Sequence, residues 1–301
     1  MITVEVVKKA LTGPIASVST PFKQDGSIDY KSLANIVEFI IEAGSGTVLL
    51  THGDSLYSIL TDDEIAEITR RVIKQTAGRA MTVAAGNWWL GKSMEFAEYA
   101  RVLGADMYMP LPPDWANSDS VENLVEYYTK ISEIIPVMMV TLIGKRPIPI
   151  EVIKTLLNEK NNITAIKDDK CGEYGKEVAR TVNGRWAFLS GGRMKNHMDI
   201  MPYGVDGYLS VFMRFKPEIA HSYWNAIKSN DIKAAREIIN KYDVPFMEEL
   251  PAHLGLNFDA IIHASMEIFG VAERWRRSPY MNASDEQMAV IGEFLKRLSI
   301  I

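Results

Sequence analysis

The stretch Asn162-Ile-Thr-Ala-Ile-Lys-Asp-Asp169 decides how the fold of this chain is interpreted. An apolar run ends in Lys167, and two acids follow it. Such a run predicts a buried strand. Burial disfavours the charged form of an amine, and a neutral amine can attack a carbonyl carbon to form a Schiff base. A lysine that extends from a strand end to solvent fits the same residues, so the surrounding sequence has to distinguish the two interpretations.

Short apolar runs alternate with longer amphipathic ones on both sides of this stretch. Helical periodicity follows each apolar run, so the chain predicts repeated strand–helix units and a parallel sheet. Eight such units over about 230 residues predict a closed (β/α)8 TIM barrel. A doubly wound open sheet is the alternative, but no G-x-G-x-x-G follows the first strand. The predicted strands are residues 15–19, 46–50, 81–85, 106–110, 137–142, 163–167, 187–190 and 207–211.

The sequence after the eighth unit predicts helices only, at residues 232–250, 258–268 and 285–298. It contains no linker-like or low-complexity segment that would separate a second domain. We therefore expect the barrel to occupy residues 1–229. Residues 230–301 are expected to form a helical C-terminal extension packed on the barrel, as part of a single structural unit.

Composition and charge narrow the class of protein. The 301-residue chain has a formal net charge of −5, which argues against general binding to nucleic acid or to an anionic membrane. No stretch is apolar enough to span a bilayer, and residues 1–14 predict neither a signal peptide nor an anchor. The single cysteine, Cys171, excludes an intrachain disulfide and a cysteine-rich metal site. A reducing, cytoplasmic location is therefore expected.

Loops at the carboxyl ends of barrel strands carry the functional residues of this fold. Leu50-Thr-His-Gly-Asp-Ser55 follows the second strand, and its N–H groups and hydroxyls are suited to binding an anion. An ordinary polar loop fits these residues equally well. Ser190-Gly-Gly-Arg193 follows the seventh strand, where glycines allow a ligand close to the backbone. Arg193 either holds a carboxylate or, as we favour, stabilises a helix end. Asp168 and Asp169 are expected to point away from Lys167.

Two aromatic residues follow the third strand, in the segment Asn87-Trp88-Trp89. Their position predicts bulky side chains near the barrel mouth. They fit a large substrate with an apolar or aromatic part, and they fit a contact between subunits equally well.

The chain resembles the dihydrodipicolinate synthase / N-acetylneuraminate lyase family of Schiff-base-forming class I aldolases. Residues 16–29 resemble the start of that family, and residues 50–55 are similar to its Gly-Thr-Thr-Gly-Glu loop. Residues 104–112, the strand that ends at Lys167 and residues 190–211 resemble later family segments in the same order and spacing. The similarity covers most of the chain.

The resemblance implies that Lys167 condenses with the keto carbon of a 2-oxo acid, such as pyruvate or a 2-keto-3-deoxy acid. The enzyme would then be an aldolase or a dehydratase that needs neither a metal nor an organic cofactor. A homo-oligomer, either a tetramer or a dimer, is implied as well. The substrate-binding residues that the resemblance implies are Thr51, His52, Thr141, Lys145, Arg146, Gly191 and Leu209.

The chain departs from the family at its proton relay. The family's strand-five tyrosine, four residues after a proline, is Val140 here, and valine cannot transfer a proton. Loss of such a relay costs about two to four orders of magnitude in rate. His52 is the first candidate to replace the tyrosine, because an imidazole titrates near neutrality. Tyr57, Thr141 and an ordered water are the alternatives.

Two further departures concern the substrate. Pro112-Pro-Asp-Trp115 lacks a second family tyrosine, and Gly144-Lys145 stands at the family's Gly-Arg, with Arg146 one residue on. The dihydrodipicolinate synthase reaction itself is therefore disfavoured. A relative that binds a 2-oxo acid without catalysis, or that serves in assembly, is the competing hypothesis.

Overall fold

A computed structural model describes residues 2–114 and 116–301 of the chain. In these residues eight parallel strands close into a barrel, so the predicted (β/α)8 fold is confirmed. The strands are β1 (Gly13–Ser17), β2 (Thr47–Leu49), β3 (Met81–Asn87), β4 (Met107–Leu111), β5 (Val137–Val140), β6 (Ile163–Asp168), β7 (Ala187–Ser190) and β8 (Gly207–Leu209). Around the barrel the order is β1-β8-β7-β6-β5-β4-β3-β2.

Helices connect successive strands on the outside of the barrel. They are α2 (Tyr30–Glu42), α3 (Asp62–Thr76), α4 (Leu90–Leu103), α5 (Val121–Ser132), α6 (Ile150–Asn158), α7 (Gly172–Val182), α8 (Met194–Ile200) and α9 (Pro217–Lys228), and α1 (Val4–Leu11) precedes the first strand. In α3 the capping box that the sequence indicates is present, because Thr61 and Glu64 satisfy each other's backbone N–H groups. None of the helices in residues 2–114 and 116–301 is long and apolar enough to cross a membrane.

Helix α1 was not predicted from the sequence. It buries Val7 and Leu11 and packs against β6 and β7. The Lys8 ammonium donates to the Gly184 carbonyl in the loop before β7, at 2.7 Å. This helix therefore lies at the amino-terminal end of the barrel, opposite the end where the strands deliver their functional side chains.

Strand β5 ends at Val140, two residues earlier than predicted. The following residues turn back as a short hairpin in which Leu142–Ile143 pairs with Arg146–Pro147. Gly144 adopts a φ of +57°, a value that favours glycine, at the turn. Because the hairpin leaves the barrel wall, the residues after Val140 are displaced from the positions that a continuous strand would give them.

The register of β5, β6 and β7 positions the lysine. Val140 pairs with Lys167, and Lys167 in turn pairs with Leu189. Successive side chains of a strand point to opposite faces. Lys167 therefore points into the barrel mouth, and Asp168 points outward toward Gly175 on α7.

The C-terminal segment is helical, as predicted, but it is not one regular α-helix. Its elements are α10 (Ile232–Ile238), two π-helical turns (Ile239–Asp243 and Pro245–Glu249), α11 (Leu250–Leu254), α12 (Phe258–Ile268) and α13 (Asp285–Arg297). Pro245 has no N–H to donate to the preceding turn, and the widened turns surround it. Phe246 is fully buried, with ring centroids 5.3 Å from Phe212 and 5.4 Å from Phe215. Aromatic packing thus fixes this segment to the loop after β8.

Candidate active site

A cavity of about 770 Å³ lies at the carboxyl ends of the strands. Lys167 and Asp169 enter it from the end of β6, and the loop after β2 contributes Thr51 and His52. Arg214, from the turn after β8, also lines it. The cavity therefore collects side chains from loops that are far apart in sequence, at the end of the barrel where this fold carries its sites.

Lys167 is the buried amine of this cavity. The residue is only 4% exposed, and it lines the cavity. Its ammonium contacts Asp169 Oδ1 directly. The sequence-based choice between a solvent-exposed lysine and a buried one is thus decided in favour of burial.

The two acids after the lysine behave differently. Asp168 points outward as expected, and it accepts hydrogen bonds from the Thr141 hydroxyl at 2.8 Å and the Lys170 N–H at 3.1 Å. Burial raises the pKa of Asp168, although those hydrogen bonds oppose the change. The expectation was wrong for Asp169, which turns back into the cavity to meet Lys167.

The loop after β2 has the form of an anion-binding turn. The Thr51 N–H donates to Ser55 Oγ at 3.1 Å, and Thr51 Oγ1 accepts the Asp54 N–H at 2.9 Å. Among the described residues, no hydrogen bond takes up the backbone N–H of His52 or Gly53. Two adjacent N–H groups and the Thr51 hydroxyl proton are thus available to a carboxylate.

His52 lines the cavity and is half-buried. Its Nδ1 atom is buried and has no hydrogen-bond partner among the described residues. Burial lowers the pKa of His52, so the imidazole is neutral near pH 7 and can accept a proton. This is the protonation state that a general base requires.

The pair Asp54–Arg214 was not identified from the sequence. Arg214 is almost fully buried, donates to Ser19 Oγ at 2.9 Å, and lies 3.5 Å from the Asp54 carboxylate. Burial alone would raise the pKa of Asp54. The Arg214 charge, the Ser17 hydrogen bond and the nearby Lys167 charge outweigh burial and hold this pKa below its ordinary value. A buried arginine needs such a partner. In the sequence, an arginine within an apolar run could have indicated a buried ion pair, but the run does not show which carboxylate is the partner.

Gly191 and Leu209 line the cavity, where the sequence comparison expected them. Leu209 is 5% exposed and supplies an apolar surface. At Gly191 a Cβ atom would lie 1.9 Å from Asp169 Oδ1 and 2.6 Å from the Asp168 carbonyl. Glycine is therefore required here to leave room for the Asp169 carboxylate.

Three expected substrate-binding residues, Thr141, Lys145 and Arg146, are not among the described residues that line the cavity. Thr141 is fully buried, donates to Asp168, and accepts the Asp169 N–H at 2.9 Å. Arg146 pairs with Asp119 and with Asp114, the latter at 3.6 Å. Lys145 is exposed at the tip of the hairpin. Thr141 is held by its hydrogen bonds at the end of β6, and Lys145 and Arg146 lie on the far side of the hairpin turn, beyond the cavity-lining residues Leu142 and Gly144.

Other candidate residues have structural partners. Arg193 lines the cavity but pairs with Asp243 at 3.1 Å and Glu248 at 2.7 Å, so it binds the extension and does not stabilise a helix end. Tyr57 is buried and is not among the described cavity-lining residues. Trp115, in the segment that lacks the second family tyrosine, lies outside the described residues.

The two tryptophans after β3 have different surroundings. Trp88 packs on Phe96 with ring centroids 4.8 Å apart and donates to Asp62 at 2.9 Å. Trp89 is 64% exposed on the outer surface. Neither tryptophan lines the cavity, whereas Asn87 does. The interpretation of this segment as a substrate wall is therefore wrong for both rings.

Val140 lines the cavity beside Lys167, as its register with the lysine requires. No tyrosine is found among the cavity-lining residues that the structure describes. In the same part of the chain, no group of three or more histidine, cysteine, aspartate or glutamate side chains is arranged to hold a metal ion. The ionisable side chains among the described cavity-lining residues are one lysine, two arginines, three carboxylates and one imidazole.

Fold and site define a class, namely (β/α)8 barrels with a buried lysine on the sixth strand in the cavity at the barrel mouth. The family model of the dihydrodipicolinate synthetase family matches residues 10–298. The chain therefore belongs to this family, and the resemblance recognised from the sequence is confirmed.

Individual relatives agree with this assignment. The 4-hydroxy-tetrahydrodipicolinate synthase of Chlorobaculum parvum is 28% identical, with 97% of this chain and 99% of the relative covered. The crystal structure of dihydrodipicolinate synthase from Oceanobacillus iheyensis has a TM-score of 0.85 at 22% identity, covering 99% of this chain and 100% of that chain. YagE from E. coli K12, solved in complex with pyruvate, has a TM-score of 0.84 at 22% identity, covering 96% and 99%. At these identities the two structures show the shared fold.

Proposed function

We propose that this protein is a Schiff-base-forming lyase, an aldolase or a dehydratase, that acts on a 2-oxo acid. The observation that carries the proposal is the buried Lys167 amine at the end of β6, facing a cavity at the barrel mouth. Family membership supports it, as does the pyruvate bound by the structural neighbour YagE. A lysine held away from water is suited to attack a keto carbon.

The β2 loop is proposed to hold the substrate carboxylate. The N–H groups of His52 and Gly53 and the Thr51 hydroxyl are the available donors. His52 also presents a neutral imidazole to the cavity. We assign it the proton of the group farther from the imine, such as the hydroxyl that loses its proton when an aldol bond breaks.

The substrate is proposed to be larger than pyruvate, such as a 2-keto-3-deoxy acid or a 2-oxo acid with an apolar substituent. A volume of about 770 Å³ exceeds what a three-carbon acid fills. The residues that line the cavity include the apolar side chains of Met109, Leu111, Leu142, Met247 and Phe258. These side chains would pack against the part of the substrate beyond the keto acid.

Borohydride trapping tests the proposal. The protein is incubated with pyruvate and with longer 2-oxo acids, reduced, digested and analysed by peptide mass spectrometry. We expect one adduct, on Lys167, because burial and cavity access coincide there. K167A should lose the adduct. K170A is the matched control, since Lys170 is an exposed lysine three residues away, and it should keep the adduct.

Absence of an adduct with every 2-oxo acid tried would refute the lyase proposal. The competing hypothesis, a non-catalytic relative that binds a 2-oxo acid or serves in assembly, would then stand. Substitution of the family tyrosine by Val140 is the observation that favours this alternative. We also propose a homo-oligomer, as the family resemblance implies, and the exposed ring of Trp89 offers an apolar contact for it.

A further inference from the structure

The cavity lacks a tyrosine among its described residues, yet a Schiff-base reaction needs a group that moves protons at the nitrogen and at the adjacent carbon. We propose that Asp169 is this group, a role that rests on the proposed function. Its Oδ1 atom contacts Lys167 Nζ, the atom that would form the imine. Because the substrate would bond to Nζ, a carboxylate already at that atom is placed to reach the first carbons of the substrate.

Three features hold the Asp169 carboxylate in this place. The Thr141 hydroxyl accepts the Asp169 N–H at 2.9 Å and donates to Asp168 at 2.8 Å, which anchors the backbone at the end of β6. Gly191 leaves the space that a Cβ atom would close at 1.9 Å from Asp169 Oδ1. Lys167 supplies the opposite charge. Thr141 and Gly191, which the sequence interpretation assigned to substrate binding, thus act as positioning residues.

The proton balance can be written for this arrangement. Asp169 takes one proton from the Lys167 ammonium, which frees the nitrogen lone pair to form a bond with the keto carbon. Addition leaves two protons on the nitrogen and a negative charge on the former keto oxygen, and one of these protons passes to that oxygen to form the carbinolamine hydroxyl. Asp169 then returns its own proton to this hydroxyl, so that one water leaves and an iminium with one N–H remains. The Asp169 carboxylate then removes a proton from C3. The C–H electron pair forms the C2–C3 double bond, and the C–N π pair moves to nitrogen, which gives the enamine.

His52 is the other titratable group considered for this role. It comes from the loop after β2, whereas Asp169 is on the same strand end as the lysine and touches Nζ. The remaining cavity carboxylates have other partners, since Asp54 pairs with Arg214 and Asp114 with Arg146. The geometry therefore favours Asp169 for proton transfer at the imine.

Deuterium exchange at C3 of pyruvate, followed by NMR in D₂O, tests the assignment alongside borohydride trapping. For D169N we expect exchange at least 100-fold slower than in the wild-type protein, with the Lys167 adduct still formed after long incubation. D169E should recover part of the exchange, because it restores a carboxylate. E173Q is the matched control: Glu173 is a highly exposed carboxylate four residues away, and exchange should stay within a few-fold of wild type.

The two proposals fail in different ways. An adduct on wild-type Lys167 with D169N exchange unchanged, or with no exchange in the wild-type protein, would overturn the role of Asp169 and leave the lyase proposal intact. No adduct in the wild-type protein would overturn the lyase proposal and this one with it. If D169N forms no adduct, D169E decides: recovery of adduct and exchange assigns the loss to the carboxylate, whereas no recovery overturns the assignment.

Discussion

Gly191 leaves space for its neighbours in the cavity because it has no Cβ atom. A methyl group at this position would meet both the Asp169 carboxylate and the Asp168 carbonyl at distances that real Cβ atoms do not show. The side chain of Asp169 can move aside, but the Asp168 carbonyl is part of β6 and cannot. A substitution at Gly191 should therefore disturb the strand end and the carboxylate together.

We expect G191A to destabilise the protein by about 1–3 kcal/mol, the usual cost of forcing an added methyl into a packed site, and to slow C3 exchange more than 10-fold. Chemical denaturation and NMR measure the two effects. G292A is the matched control, because nothing lies within 4 Å of its Cβ position in α13. It should stabilise by about 0.5–1 kcal/mol and leave exchange unchanged. Wild-type stability and exchange in G191A would contradict the assigned role.

At the residue scale, the sequence predicts that Lys167 lies at the end of a buried strand, but it does not predict the contact between Lys167 and Asp169. Lys167 follows from an apolar run that ends at a fixed place in the strand–helix order. The direction of Asp169 depends on the room left by Gly191 and on the hydroxyl of Thr141, and both come from neighbouring strands. Arg214 was missed because its partner Asp54 is 160 positions away in the chain, and an ion pair at that separation leaves no local pattern.

At the scale of elements, Arg193 joins the barrel to its helical extension. Its guanidinium binds Asp243, which is almost fully buried, at 3.1 Å and the more exposed Glu248 at 2.7 Å. Burial raises the pKa of Asp243 even though Arg193 and backbone N–H groups oppose the change. Removal of the arginine would leave a buried carboxylate without its counter-ion.

We expect R193M to lower the free energy of unfolding by about 3 kcal/mol at pH 7, as loss of one partner of a buried pair does. The loss should shrink in mild acid, where Asp243 can take up a proton. K195M is the matched control, because Lys195 binds the same Glu248 from an exposed position and such pairs contribute less than about 1 kcal/mol. Urea denaturation at pH 7 and pH 5 measures both. If R193M and K195M lowered the unfolding free energy equally, the proposed stabilising role of the Arg193–Asp243 ion pair would be refuted.

Element types were more predictable than element details. Short apolar runs identified the eight strands because these strands are buried on both faces, and helical periodicity identified the connecting helices because each buries one face. Helix α1 escaped because eight residues give little periodicity, and its burial depends on β6 and β7. The hairpin after β5 and the π-helical turns are set by backbone geometry around Gly144 and Pro245, which hydrophobic patterns do not report.

At the scale of the whole molecule, two buried histidines link stability to pH. His197 lies among the rings of Tyr208, Tyr223 and Trp224, and His263 lies inside α12. Burial lowers the pKa of each to about 4. Between the ordinary histidine pKa of about 6.5 and this value, the unfolded chain binds protons that the folded chain does not. Stability should therefore fall as the pH falls through this window.

We expect H197F to fold, since the ring packing is kept and Tyr223 still donates to the Met194 carbonyl. Its stability should fall less steeply in acid, by about 1 kcal/mol per pH unit between pH 6 and pH 4.5, because one proton-linked group is gone. H253Q, at an exposed position, serves as the control and should keep the wild-type slope. The measurement is the unfolding free energy at a series of pH values, and parallel curves for H197F and wild type would refute the linkage.

The two π-helical turns after α10 determine which side chains of this segment face Arg193. Asp243 and Glu248 are five residues apart and bind one guanidinium. In a regular α-helix, five residues turn the chain through about 500°, so the two carboxylates would diverge by about 140°. Bonding from i to i+5 brings them to one side. The hydrogen-bonding pattern of this segment is therefore a constraint separate from its composition: the same residues wound as a regular α-helix, with every carboxylate retained, would present only one of them to Arg193.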